Sequence, residues 1–261
     1  MEKHDLMNLP PWELLLKKIL WKQLGDMSGK RILDFGSGIG VMADHYAAHN
    51  EVVAVEPSEE SVAQRWQENS YRQIIGSTDA LREFEDESFD IILCHNVLEY
   101  VSDAESIVRE FHRLLKPDGM ISVVKHNRAG RVMQMVVLLN EFGKANDLLD
   151  GRDGSAAQYG AIHYYEDSDL VKWCNQLCVE RVSGIRTFWD LQQNQDCHQD
   201  PAWQEMMIEM EMRVSDIKEY RDIAFFHHVV LRKREMKITE KEILAEYNQY
   251  TKRRKNGIER V

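Results

Sequence analysis

The sequence predicts an α/β protein with a doubly wound, mainly parallel sheet. Two observations support this class: short apolar runs alternate with helical patterns, and a glycine-rich turn follows the first run. The predicted strands lie at about residues 31–35, 51–56, 73–76, 89–94 and 119–125. The predicted helices between them lie at about 39–48, 59–69, 80–84 and 103–115. Such alternation favours right-handed crossovers, and ligands then bind at the carboxyl ends of the strands.

A further helix is predicted ahead of the first strand. Apolar residues recur at helical spacing from Trp12 to Leu24, after Pro10 and Pro11. We expect this helix to pack beside the first strand, with its start over the ligand site.

Length and composition fit one globular protein with a sizeable core, since 261 residues are 43% hydrophobic and 30% charged. No apolar run approaches the roughly 18–20 residues that a membrane-spanning helix needs. The segment from Met1 to Asp5 lacks the apolar core of a secretory signal. The four cysteines show no C-x-x-C spacing, so we expect reduced core thiols, a cytoplasmic location and no metal site.

The charge is unevenly distributed along the chain. A formal net charge of −11 opposes a protein that coats nucleic acid, because phosphate contacts dominate such binding. Residues 232–261 nevertheless carry ten basic and five acidic residues. This basic tail is interpreted either as a solvated C-terminal helix or as a segment that touches nucleic acid.

The turn after the first predicted strand carries the clearest functional pattern. Asp34 precedes Gly36, Ser37 and Gly38, and Glu56 ends the second predicted strand. The glycines allow positive φ and a close approach of the backbone to a ligand. A carboxylate at the position of Glu56 can accept hydrogen bonds from both hydroxyls of a ribose. Asp34 would repel a pyrophosphate and suits a cationic amino-acid end, so the pattern predicts a site for a nucleoside with such a group.

This turn resembles the first motif of class I S-adenosylmethionine (SAM)-dependent methyltransferases. Three further segments agree in register: 76–80 looks like the adenine-edge loop of that family, 88–98 like its fourth strand and exit, and 114–123 like its turn into the fifth strand. The resemblance runs from about Lys30 to Lys125. It implies that SAM is the cofactor.

The resemblance also implies a set of cofactor-binding residues. Pro57 would fix the turn at the adenosine edge, and Asp79 would accept from the adenine amino group while the Ala80 amide donates to a ring nitrogen. A helix N-cap is the alternative role for Asp79. His95 would contact the methionine part through its backbone. The full set is Asp34, Gly36, Ser37, Gly38, Glu56, Pro57, Asp79, Ala80, His95 and Asn96.

The implied fold is a seven-stranded Rossmann-like methyltransferase sheet with its last strand antiparallel and helical insertions over the active site. The sixth and seventh strands fit 182–187 and 224–231, and a helix at 170–177 precedes them. Insertions at about 127–165 and 189–222 would shape the acceptor pocket, and 152–160 is the candidate mobile lid. The predicted segments are 1–29 (N-terminal helix), 30–126 (SAM-binding core), 127–168 (helical or lid insertion), 169–233 (end of the sheet with an insertion) and 234–261 (basic tail).

A narrower resemblance concerns the acceptor. Residues 19–24, 95–101, 127–130 and 184–190 look like the bacterial tRNA 5-carboxymethoxyuridine methyltransferases, which implies methyl esterification of a carboxylate on a wobble uridine. A carboxylate is already ionised at pH 7 and needs no general base. The family would place a basic residue near the SAM carboxylate, and 14–16 lacks one.

A planar guanidinium suits such a carboxylate, and Arg186, with His126 or Arg128 nearby, is the candidate that holds the acceptor. A surface ion pair is the alternative role for Arg186. Two other acceptor-side expectations are open: Glu99 either packs locally or touches substrate, and of the adjacent His227 and His228 one is buried and the other exposed.

Two alternatives to tRNA methylation stand beside it. One is methylation of a small molecule, such as a quinone precursor, a carboxylic acid or an amine, which the acidic body of the chain favours. The other is a SAM-binding protein without transfer activity. A continuous basic face that joins Arg131, Arg152 and the tail would favour tRNA, whereas a closed apolar cavity would favour a small molecule.

Overall fold

The computed structural model describes residues 9–156 and 160–234, together with 242, 244, 245 and 247–249. Residues 157–159 of the predicted lid and most of the predicted basic tail lie outside the described residues. Within the described part, no helix has the length and apolar character that crossing a bilayer requires.

Seven strands form one sheet at the centre of the molecule. The strands of the described chain are β1 (Arg31–Phe35), β2 (Glu51–Glu56), β3 (Arg72–Ile75), β4 (Phe89–His95), β5 (Leu115–His126), β6 (Gly154–Ala156), β7 (Gly160–Ile162), β8 (Leu177–Ile185) and β9 (Phe226–Lys233). The sheet order is β3-β2-β1-β4-β5-β9-β8, and β6 pairs only with β7. β9 is antiparallel to both of its neighbours. The predicted seven-stranded sheet with an antiparallel last strand is confirmed.

Helices cover both faces of this sheet. They are α1 (Pro11–Leu24), α2 (Val41–Ala47), α3 (Glu59–Ala63), α4 (Ala104–Leu114), α5 (Arg128–Val137), α6 (Phe142–Leu149), α7 (Asp169–Trp173), α8 (Pro201–Val214) and α9 (Lys218–Arg221). Of the two largest core clusters, one contains Phe89 and Phe111, and the other joins Leu15 and Ile19 of α1 to Ile208 of α8. The predicted insertion at 127–165 forms α5, α6 and the β6–β7 hairpin.

The site lies where the chain reverses its winding direction. β1 is hydrogen-bonded to β2 on one side and to β4 on the other. In doubly wound sheets the crevice at the carboxyl ends of two such strands is where ligands bind. The β1–β4 crevice is therefore the expected ligand site.

Two predicted helices are shorter than expected. The helix at 59–69 ends at Ala63, because the Trp66 amide instead donates to the Ile39 carbonyl (2.8 Å) and its ring is buried against α1. The helix at 170–177 ends at Trp173, since Cys174 is extended (φ −139°), and β8 begins at Leu177.

The expectation that one of His227 and His228 is exposed was wrong. Both are buried, with 8% and 0% of their surface exposed. The reason is that β9 lies inside the sheet between β5 and β8, with packed elements on both faces. Successive side chains of β9 point to opposite faces of the sheet, and because both faces are covered, both histidines are buried.

Candidate active site

The glycine-rich turn opens the crevice beyond β1. Gly36, Gly38 and Gly40 have φ of +74°, +55° and +75°, a region that favours glycine. A Cβ at Gly36 would lie 2.3 Å from a methyl carbon of Val97, whereas a Cβ at Gly38 would meet nothing within 4 Å. The turn thus packs against the exit of β4 on one side and leaves open space beside Gly38.

Glu56, at the end of β2, stabilises this turn through hydrogen bonds. One of its oxygens accepts from the Gly38 amide (2.8 Å) and the other from the Ser58 amide (2.9 Å). The carboxylate is only 8% exposed. Each oxygen keeps a second lone pair, so the predicted ribose-binding carboxylate lies at the open space that Gly38 lines. Pro57 follows it as an exposed residue.

Three oxygens at the crevice are buried and bonded to none of the described residues. They are Asp34 Oδ2, Ser37 Oγ and Asn96 Oδ1. Asn96 follows β4 with φ of +57°, and its amide donates to the Val124 carbonyl (2.8 Å). Buried polar atoms are nearly always paired, and these three flank the same two strand ends. They fit a ligand that brings its own amine and hydroxyl donors.

Asp34 carries the main electrostatic feature of the crevice. It is 3% exposed, and burial raises its pKa to about 6, although the positive charge of Lys17 partly offsets that rise. A carboxyl group in such an environment is stabilised by a cation that enters with a ligand.

Lys17 is a residue that the sequence analysis missed. Leu14, Leu15 and Leu16 of α1 are buried in the core, and the cation comes at the next position. Its charge lowers the pKa of Asp34 and of His95. α1 therefore brings a positive group to the crevice despite the missing basic residue at 14–16.

The predicted adenine-edge residues lie in a 3-10 helix, Thr78–Glu83. One oxygen of Asp79 accepts from the Ser77 amide (3.2 Å) and hydroxyl (2.9 Å), and these bonds lower the pKa of this exposed carboxyl. The Ala80 amide donates to the Ser77 carbonyl (3.1 Å). Both groups thus support the turn itself, and their contacts to adenine stay predictions.

The side chain of His95 is directed into the sheet. Its Nε2 is 2.8 Å from Ser122 Oγ, which lies 2.8 Å from Nε2 of His228. Burial lowers the pKa of both rings well below the usual range, so both are neutral. The side chains of His95, Ser122 and His228 thus interact inside the sheet. The predicted cofactor contact of His95 would therefore be made by its backbone.

The arginines predicted on the acceptor side have partners within the protein. Arg186 follows β8 with φ of +62°, and its guanidinium forms a bidentate ion pair with Asp190. Arg128 donates to the carbonyls of Leu148 (3.1 Å) and Arg152 (2.8 Å). The positive charge of Arg186 is therefore compensated, and Arg128 holds the loop after α6.

Arg131 is a cation of a different kind. Its guanidinium lies over the Phe225 ring (5.5 Å), and burial lowers its pKa. Among the described residues no carboxylate lies within ion-pair distance of it. From the sequence, Arg131 is expected only as part of a possible basic face.

His126 and Glu99 form a buried pair beside these arginines. His126 Nδ1 lies 2.8 Å from Glu99 Oε1, and Glu99 is 1% exposed. Aromatic rings surround the imidazole, with centroids 4.8–6.3 Å from it: Tyr100, Tyr164, Phe225 and Phe226. In the described chain no cluster of three or more metal-ligating side chains is found.

Comparisons with known proteins agree with this geometry. Residues 33–123 match a family model described as a methyltransferase domain. The ubiquinone biosynthesis O-methyltransferase of Pseudomonas putida (strain W619) is 32% identical over 124 residues, which cover 44% of this chain and 53% of that protein. The chain thus spans about half the length of that curated relative. The protein of that name from Pasteurella multocida (strain Pm70) is 25% identical over 179 residues, covering 62% and 71%.

Solved structures share the fold. A candidate SAM-dependent methyltransferase from Listeria monocytogenes aligns with a TM-score of 0.57 at 14% identity, over 86% of this chain and 97% of that one. A SAM-dependent methyltransferase from Mesorhizobium loti aligns with a TM-score of 0.52 at 17% identity, over 88% and 100%. These likenesses confirm the predicted sheet architecture.

Proposed function

We propose that this protein, whose residues 33–123 match a methyltransferase domain, transfers the methyl group of SAM to a small-molecule acceptor. The observation that carries the proposal is the crevice between β1 and β4. Its glycine turn leaves open space, and Asp34, Ser37 and Asn96 present buried oxygens without described partners. The matched domain and the geometry of the crevice support the same ligand.

The residues of the crevice fit the parts of SAM. Asp34 and Lys17 offer opposite charges for the zwitterionic amino-acid end, and Glu56 offers lone pairs for the ribose hydroxyls. Asp79 and Ala80 are proposed for the adenine edge. When bound, SAM supplies a methyl group that its positive sulfur activates. The task of the protein is then to bind, to align the acceptor and to exclude water.

The acceptor side supports a small molecule. The ring cluster around His126 gives an apolar wall, and the relatives named as O-methyltransferases act in ubiquinone biosynthesis according to their names. Arg152, one part of the basic face that tRNA would need, is bound by Asp147 and Asp150.

Methylation of a tRNA carboxylate is the second candidate. It is supported by the string at 184–190 and by Arg131, whose charge is not compensated by a described carboxylate. In this variant of the proposal, Arg186 would hold the acceptor only if Asp190 moved away, because the two side chains are paired.

The test offers both acceptor classes to the full-length protein. Methyl-labelled SAM is incubated with a small-molecule extract or with total tRNA, each taken from cells that lack the gene. Label in a small organic product supports the first candidate, and label in tRNA nucleosides supports the second. Label in neither, with normal SAM binding, would favour a protein without transfer activity.

A variant with weakened cofactor binding serves as the control for this assay. Glu56→Gln should weaken binding of S-adenosylhomocysteine (SAH), the demethylated product, by about 5- to 150-fold, which corresponds to about 1–3 kcal/mol for a disrupted buried hydrogen-bond site. Glu59→Gln, an exposed neighbour, is the matched control and should bind SAH like the wild type.

A further inference from the structure

The Glu99–His126 pair has a geometry that cofactor binding does not explain. Glu99 lies in the 3-10 helix Leu98–Tyr100 just beyond β4, and His126 is the last residue of β5. Glu99 Oε1 lies 2.8 Å from Nδ1 of His126 and also accepts from its backbone amide (3.2 Å). A carboxylate that is almost fully buried is thus devoted to orienting one imidazole.

This contact fixes which ring nitrogen carries the proton. An ionised carboxylate only accepts hydrogen bonds, so Nδ1 of His126 must carry the hydrogen and Nε2 presents a lone pair. None of the described residues hydrogen-bonds to Nε2. The ring is held by Glu99 on one side and is available as a base on the other.

The position of this base is next to the cofactor crevice. β5 is paired with β4, with Val124 opposite His95, and β4 is paired with β1. The carboxyl ends of these parallel strands lie on one edge of the sheet, so His126 and the oxygens around Asp34 share that edge. The rings of Tyr100, Tyr164, Phe225 and Phe226 surround His126 and suit a flat acceptor.

We propose that His126 is the general base of the transfer, and that the acceptor is therefore an aromatic hydroxyl rather than a carboxylate. This inference rests on the proposed methyltransferase function. A phenol, with a pKa of about 10, is neutral at pH 7 and needs a base, whereas a carboxylate with a pKa of about 4 does not. A carboxylate-oriented imidazole beside the crevice therefore favours the first of these acceptors.

The acceptor O–H bond breaks and its proton passes to Nε2 of His126. The bond from that oxygen to the methyl carbon forms while the methyl–sulfur bond breaks, and the sulfur retains the electron pair of that bond. The imidazolium then gives its proton to water. Glu99 is a positioning residue: it holds the ring tautomer and stabilises the imidazolium.

The charged groups around the ring support an anionic acceptor oxygen. Arg131 and Arg186 lie against Phe225, and Arg186 also lies against Phe226. Tyr164 faces the ring as well, and burial raises the pKa of its hydroxyl. Asp190 compensates the charge of Arg186, so Arg131 is the cation on this side of the ring that has no described carboxylate within ion-pair distance. Its charge favours a phenolate over a phenol.

The test reads the protonation state of a bound probe. The full-length protein is saturated with SAH and titrated with 4-nitrophenol, whose phenolate absorbs at longer wavelength than the phenol. We expect bound probe to be phenolate at a pH where free probe is still neutral. His126→Gln should lower the affinity for the phenolate at least about tenfold, because a general base typically contributes about 10²- to 10⁴-fold to the reaction that it serves.

Glu99→Gln separates positioning from packing. Glutamine still accepts from Nδ1 but lacks the charge, so the pH at which the bound phenolate forms should rise while SAH affinity stays at the wild-type value. The matched control is His163→Gln, because His163 forms an exposed pair with Asp153 (2.7 Å). That variant should behave like the wild type.

Calorimetry with SAH separates the two levels of the proposal. A wild type that fails to bind SAH removes the methyltransferase function and this inference with it. A wild type that binds SAH but takes 4-nitrophenol in its neutral form, takes none, or takes it equally after His126→Gln, overturns the inference alone. Binding of 4-nitrobenzoate in place of 4-nitrophenol would do the same and would point to a carboxylate acceptor.

Discussion

Two aspartates of this protein are almost equally buried and have opposite environments. Asp34 is 3% exposed and Asp167 is 5% exposed. One oxygen of Asp34 has no described partner, and burial raises its pKa to about 6. Burial would also raise the pKa of Asp167, but His227 and Lys125 outweigh it and hold that pKa well below the usual range.

We interpret this difference as one between a proposed ligand-binding residue and a structural one. Asp167 pairs with Lys125 (3.3 Å) and with His227 (2.8 Å), and it thereby joins β5 and β9 to the segment before α7. All of its charge is compensated inside the protein. A buried carboxylate that lacks such partners is costly, and the natural explanation is a cation that arrives with a ligand.

Breaking the paired aspartate should have the largest effect. Asp167→Asn would leave the charge of Lys125, which is 4% exposed, without its counter-charge. Loss of one partner from a buried ion pair costs about 3–5 kcal/mol. Urea unfolding followed by circular dichroism would measure this loss in the free energy of unfolding.

The matched control is Asp150→Asn, which removes an exposed partner of Arg152. Surface pairs contribute little, so the change should stay within about 1 kcal/mol. If Asp167→Asn were as mild as this control, the structural role of the buried cluster would be wrong.

Breaking the unpaired aspartate should affect ligand binding instead. Because the folded-state pKa of Asp34 is raised to about 6, its ionised form opposes folding at pH 7. Asp34→Asn removes that cost, so the free energy of unfolding should stay unchanged or rise by up to about 3 kcal/mol. SAH affinity should fall by about 10- to 150-fold, or about 1.5–3 kcal/mol for a charged hydrogen bond.

Isothermal titration would measure the SAH affinity, and urea unfolding of the same preparation would measure the free energy of unfolding. An Asp34→Asn variant that unfolds more easily and binds SAH normally would place Asp34 in the same class as Asp167. The proposed difference in role between the two aspartates would then be wrong.

The pH dependence of SAH binding distinguishes the two aspartates further. The carboxylate must be ionised to pair with the ammonium group of the ligand. With a pKa of about 6, affinity should fall by about tenfold as the pH is lowered from about 7 to about 5. Titrations across that range should show the fall in the wild type and a flatter profile in Asp34→Asn, and equal slopes would exclude Asp34 as the titrating group.

Much of the fold follows from local pattern. The strands from β1 to β5 and the glycine turn were predictable because apolar periodicity and positive-φ glycines are encoded within a few residues. Asp34 and Glu56 were predicted as ligand-binding residues in the same way, because they lie at a fixed distance from that turn, and their roles stay predictions. The seven-stranded sheet was implied by the family resemblance rather than by local pattern, and it is confirmed.

What the sequence did not reveal depends on contacts between distant segments. Both His227 and His228 are buried because β9 is inserted between β5 and β8, which no local pattern encodes. The pairing of Glu99 with His126 joins the ends of two different strands. The expectation that Arg186 could form a surface ion pair was wrong in one respect, because its pair with Asp190 is buried. Burial of this pair depends on the surrounding packing, which no local pattern encodes.

Among the variants, substitution of Lys17 should have the smallest effect, and it tests the proposed ligand site directly. The side chain is only partly buried, so the loss of its charge should weaken SAH binding by about 2- to 5-fold, or up to about 1 kcal/mol. Lys17→Met should also raise the pKa of Asp34, because the lysine charge lowers it. The pH midpoint of SAH binding should therefore move upward. Lys18→Met is the matched control, as Lys18 lies about 100° further round α1. A shift of equal size in both variants would mean that only general surface charge acts on the ligand, and the zwitterion site formed by Asp34 and Lys17 would have to be abandoned.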